Sequence, residues 1–166
     1  MSLSATLKTE LASRAGQQNQ QIAAVEGQRT LRCVAAEVEP LAAAVHELVL
    51  QTAELGKADI QAIEAASRAL CGRVNYLLEP VSPIETDADG CSVQMRSSPP
   101  QKDDNGRRYY ELLMQRGGLV SLHRYEKLPG SPRVRVAAHL THEAAGRLAD
   151  DFGRAVDDAL SGGQAP

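Results

Sequence analysis

Residues 91–140 read CSVQMRSSPPQKDDNGRRYYELLMQRGGLVSLHRYEKLPGSPRVRVAAHL, and their polarity alternates. Cys91, Val93 and Met95 stand against Ser92, Gln94 and Arg96. Tyr110, Leu112 and Met114 stand against Tyr109, Glu111, Leu113 and Gln115. Val134, Val136, Ala138 and Leu140 stand against Arg133, Arg135, Ala137 and His139. A period of two sends each set to one face of a pleated sheet. Gly117-Gly118 supplies a short hairpin between two such runs, and Pro129-Gly130-Ser131-Pro132 punctuates the next connection. The stretch predicts an antiparallel meander of four or five strands with one apolar and one polar face. The apolar face then needs a cover from the rest of the chain.

Upstream, the apolar residues step differently. Leu31, Val34, Val38, Leu41, Val45, Leu48, Thr52 and Leu55 advance by threes and fours, as do Ile60, Ile63, Ser67, Leu70, Val74 and Leu77. Such stepping makes a seam on a coiled-coil helix. With Pro40 as a kink and Gly56 as a cap, it predicts a helical hairpin over 31–79, with residues 74–78 open to either helix or strand. Residues 1–30 read as a weakly ordered or helical segment, because the polar tract after Gly16 lacks an apolar stripe. Thr141 as N-cap and Glu143 in the first turn open a C-terminal helix, and 161–166 is tail. The expected fold is therefore α+β, with a coiled-coil-like helical hairpin and a C-terminal helix packed on the meander, the sheet and last helix occupying 80–160.

The 166 residues carry a net charge of −3, unevenly distributed. Residues 91–140 hold nine Lys and Arg against four Asp and Glu, whereas 1–90 hold seven against twelve. A basic sheet under acidic helices fits internal complementarity. It also leaves an anion-binding face open, made of Arg133, Arg135, His139, His123, Tyr109 and Tyr125, with the Arg107-Arg108 loop end as an alternative. Three widely spaced cysteines, Cys33, Cys71 and Cys91, give neither a disulfide framework nor a zinc ribbon and read as reduced thiols. No apolar run approaches the ~20 residues that span a bilayer, and the N-terminus has no secretory pattern, so a soluble cytoplasmic protein without a membrane partner is expected.

No dinucleotide, P-loop, nucleophile-elbow or zincin motif is present. His123, His139, His142 and Glu143 are weak metal candidates that match no ligand spacing. The run from Glu85 to Gly90 imitates the start of an EF-hand loop, but Arg96 stands where the bidentate Glu belongs, so it reads as a turn. No catalytic residue, metal or cofactor is assigned. The favoured function is a non-enzymatic interaction or assembly protein that binds itself or another helical protein through Leu41, Val45, Leu48, Val49 and Leu50. An anion- or nucleic-acid-binding module on the basic face is the alternative. A small-molecule or enzymatic pocket between sheet and helices comes third.

Overall fold

The computed structural model describes residues 1–104 and 106–162. Among the described residues three α-helices, α1 (Leu3–Ser13), α2 (Ile60–Arg73) and α3 (His142–Leu160), cover one face of a ten-stranded antiparallel sheet. The strands are β1 (Gln18–Glu26), β2 (Arg29–Val38), β3 (Ala42–Thr52), β4 (Val81–Asp87), β5 (Ser92–Ser97), β6 (Gln101–Asp103), β7 (Gly106–Gln115), β8 (Leu119–Lys127), β9 (Val134–Val136) and β10 (Ala138–Thr141). Their main order is β1-β2-β3-β8-β7-β5-β4, with β10 on β3, β6 on β7 and β9 on β8.

The fold is α+β, but the helical hairpin expected over 31–79 is not there. Residues 29–52 form the hairpin β2–β3, and only 60–73 is helical. Two β-bulges explain why strands imitate heptads. Val34 pairs with Glu47 and Ala35 with Val45, leaving His46 extra in β3; Ala35 and Glu37 pair with Val45 and Ala44, leaving Ala36 extra in β2. Each extra residue shifts the inward parity, so core positions step by three at Ala35 to Val38 and at Val45 to Leu48. Pro40, read as a helix kink, lies in the β2–β3 turn, where Glu39 N–H donates to the Ala42 carbonyl at 2.8 Å. The proposed seam is therefore divided. Leu41 is 80% exposed in that turn, Val45, Leu48 and Leu50 are core, and Val49 is buried on the opposite face. Residues 74–78 are neither helix nor strand, and the polar Gln tract enters the edge strand β1.

The inward set of the sheet, Leu31, Cys33, Leu48, Leu50, Val120, Leu122, Leu112, Met114, Val93 and Met95, packs under Leu7, Leu11, Ile63, Leu70, Leu148 and Phe152. Side chains cap the three helices: Ser2 accepts from Ala5 N–H, Asp59 from Ala62 N–H and Thr141 from Ala144 N–H. Such caps contribute about 1 kcal/mol each. Asp157 and Asp158, which oppose the α3 dipole, are both paired. Arg29 reaches Asp157 at 2.6 Å and Glu54 at 2.9 Å, and Arg73 reaches Asp158 at 2.8 Å. Gly118, at φ +119, ends the β7–β8 turn; its carbonyl accepts from Thr52 N–H, and a Cβ there would lie 2.9 Å from the Thr52 oxygen.

The sheet forks. The C-terminal half of β3 (Leu48–Gln51) pairs with β8, while its N-terminal part (Ala42–Val45) pairs with β10 instead. Beyond Leu122, β8 exchanges β3 for β9, with Arg124 opposite Val136 and Glu126 opposite Val134. The chain thus runs into the fork along β8, turns at Ala137 and leaves along β3. Val134 to Leu140, expected as one strand, is two. Ala138 and Leu140 are core, Val136 is half-buried and Val134 is 51% exposed. The His46 bulge sits at the branch point, where the extra residue bends β3 away from β8.

Candidate functional site

The face without helices carries the polar parity of β5, β7, β8 and β9, and it gathers five of the six anion-binding candidates. Tyr109 and Tyr125 are direct partners across β7–β8, with ring centroids 5.9 Å apart. His123 and Glu111 are the next pair on that face. Arg133 lies with its guanidinium 3.9 Å above the Tyr125 ring, and Arg135 donates to the Tyr125 hydroxyl at 3.4 Å. His139 is elsewhere, in a cleft on the helical side.

Register brings in residues that sequence reasoning left out. Glu111 is buried and bridges two guanidinium groups, Arg133 at 2.6 Å and Arg96 at 3.1 Å. Burial opposes its ionisation, but the hydrogen bonds from Arg133 and Arg96 outweigh it and hold the carboxyl below its ordinary value. The same contact raises Arg133. Arg96 covers Tyr109 at 4.7 Å. The rings of Tyr109 and Tyr125 are therefore covered in part by Arg96, by Arg133 and by each other. At the branch point His123 Nε2 lies 3.4 Å from Glu47 Oε1 without hydrogen-bond alignment. Burial, then the charge of Arg135, push its pKa down against the pull of Glu47.

Next to Glu111 stand two further basic side chains, Arg107 and Lys127, with which it does not pair. A hollow of about 460 Å³ is lined by Arg96, Arg107, Lys127 and Arg133 together with Tyr109 and Ile84, and among the described residues no carboxylate lines it. Arg107 and Lys127 stand directly opposite each other across β7–β8. Neither forms an ion pair among the described residues; the Lys127 ammonium donates to the Leu128 carbonyl at 3.0 Å. Like charges in direct cross-strand register destabilise a sheet. Asp103 and Asp104 line an adjoining hollow with the same two cations.

A second concavity of about 750 Å³ lies on the helical side, within the fork, where Leu77, Leu78 and Glu79 rather than a helix face the sheet. Arg124 lies 4.2 Å above the Tyr110 ring and pairs with Glu79 at 3.2 Å, and Ser97 links Glu79 to the Tyr110 N–H. Arg108, Glu126, Val136, Ala137 and His139 complete the lining. Tyr110 is 7% exposed, and its hydroxyl has no hydrogen-bond partner among the described residues.

The weak metal candidates do not converge. His142 faces the Ala42 carbonyl, Glu143 pairs with Lys8, and among the described residues no three His, Cys, Asp or Glu side chains form a cluster that could hold an ion. Asp87 accepts from Gly90 N–H, as a turn residue does. Cys33 and Cys71 are raised by burial to about 12 and about 11, so both are poor nucleophiles at neutral pH. Among the described residues no helix is long and apolar enough to cross a membrane. No protein-family model, curated protein or solved structure matches this chain.

Proposed function

We propose that the protein is a non-enzymatic binding module that takes a compact oxyanion (a phosphate, sulfate or carboxylate group) in the hollow between Arg96, Arg107, Lys127 and Arg133. One observation carries this reading: Arg107 and Lys127 are direct partners across two strands, and among the described residues neither forms an ion pair. An anion bridging them would turn a repulsive pair into a favourable one, with charge-assisted hydrogen bonds from guanidinium and ammonium. Because the tyrosine rings are already covered in part, the chemistry favours an isolated anionic group over stacked nucleobases.

Thermal melts with inorganic phosphate and pyrophosphate, at low and at physiological ionic strength, test the proposal. A ligand that binds only the folded state stabilises it by about 2.7 kcal/mol at a hundred times its Kd. Salt-sensitive stabilisation of the parent is expected, with its loss in Arg107→Ala/Lys127→Ala. The double variant without ligand should be no less stable than the parent. Absence of anion-dependent stabilisation at low salt overturns the reading.

The cleft in the fork supports a second reading, a small polar ligand that accepts from or donates to the Tyr110 hydroxyl. The Tyr110 hydroxyl, which has no hydrogen-bond partner among the described residues, favours it.

A further inference from the structure

The two ends of the sheet are built differently. β4 closes one end with Pro83, which cannot donate to a neighbouring strand, with Glu85 and Asp87, and with a register break between Pro83 and Glu85. Proline, charge and irregularity are the devices that keep an edge strand from pairing with another chain. β1, at the other end, has no proline; its irregularity is confined to Asn19, at φ +54 near its start, and its charge to Glu26 at its end. From Gln20 to Glu26 it pairs residue by residue with β2 on one side, and among the described residues no strand pairs with its other edge. The segment reads QQIAAVE, with no proline and one charge, at its last position. Ile22 and Ala24 enter the core, while Ala23 and Val25 are exposed on the opposite face, Val25 by 66%.

We infer that β1 is a self-association edge, which pairs antiparallel with β1 of a second copy about a two-fold axis. Three features identify the occupant as this chain itself. First, antiparallel pairing of identical strands is isologous, so each copy offers what the other needs. Second, pairing centred near Ile22 or Ala23 sets Glu26 opposite the neutral glutamines at the start of the strand, so no like charges meet. Third, a two-fold normal to the sheet brings both α1 helices to the same side of the joint. The exposed positions of α1 are Thr9, Ala12 and Ser13, small and uncharged. Its charged residues are engaged within the chain, Lys8 with Glu143 and Glu10 with Arg14. Small residues let neighbouring helices approach closely, adding packing area to the strand hydrogen bonds.

Sedimentation of the full chain across a concentration series up to the millimolar range tests this. The expected result is a reversible rise from 17.8 kDa to twice that mass. Ala23→Lys and Gln21→Lys, both at exposed edge positions, should shift the equilibrium at least tenfold toward monomer with unchanged circular dichroism. Thr86→Lys on the opposite edge should leave it unchanged. A monomer throughout the series overturns the inference. So does a dimer that persists in both β1 variants, or one that is lost only with Thr86→Lys.

Discussion

Replacing Glu111 by Gln keeps the shape of the side chain and removes the charge that Arg133 and Arg96 share. The carboxylate is 9% exposed, with its partners at 2.6 and 3.1 Å, so it has left water for these two contacts. Breaking a fully buried pair costs about 3–5 kcal/mol, and an exposed pair is worth about 0–1 kcal/mol. Both arginines are 38% exposed and can rehydrate when the carboxylate is lost. The expected cost therefore lies between those limits, at about 1–3 kcal/mol. For a chain of this size that is a fall in melting temperature of about 2–12 °C. Urea melts of Glu111→Gln and Glu126→Gln, run in parallel, measure it. Glu126 also meets an arginine at 2.6 Å, but Arg108 is 47% exposed, so its loss should hardly register. Equal costs for the two variants, or a larger cost for Glu126, would refute the assignment of Glu111 as the internal counter-ion of the basic face.

Two further predictions follow from single side chains. Tyr110→Phe removes a hydroxyl with no hydrogen-bond partner among the described residues, so unfolding free energy should stay constant or rise by up to about 1 kcal/mol, whereas loss of a real hydrogen bond would lower it by about that amount; chemical denaturation reads the sign. His123 titrates below its ordinary 6.5 in the folded protein, so the unfolded chain takes up its proton first on acidification. Its contribution to stability should be complete above about pH 6.5 and lost as pH falls from there through the folded value, and a pH series of melts should lose that slope in His123→Gln.

The inward parity of Val93, Met95, Tyr110, Leu112 and Met114 was legible in the sequence because those strands alternate without interruption. Residues 31–55 were not legible as strands. Extra residues at Ala36 and His46 break the period of two, and what remains mimics the stepping of a helix. The Gln tract of β1 carried no signal, since an edge strand needs few apolar positions. At the candidate site, parity brought Arg133, Arg135, Tyr109, Tyr125 and His123 together. Only register shows that Glu111 spends two of the arginines, or that Arg107 meets Lys127. Cross-strand partners far apart in the chain leave no mark on local periodicity.

The fork also bears on how the chain folds. β10 has nothing to pair with until β3 is in place, and β9 nothing until β8 is, yet both leave from the same Ala137. α3 then carries Phe152, fully enclosed, back over the opening strands, where Arg29 and Asp157 meet 128 residues apart. Contacts of such sequence separation must be closed against loop entropy before they return any stabilisation, which slows the search. The N-terminal third, although formed of local hairpins, lacks most of its lid until the last helix arrives. The molecule should therefore fold late, slowly and nearly all at once, with α3 as its closing piece.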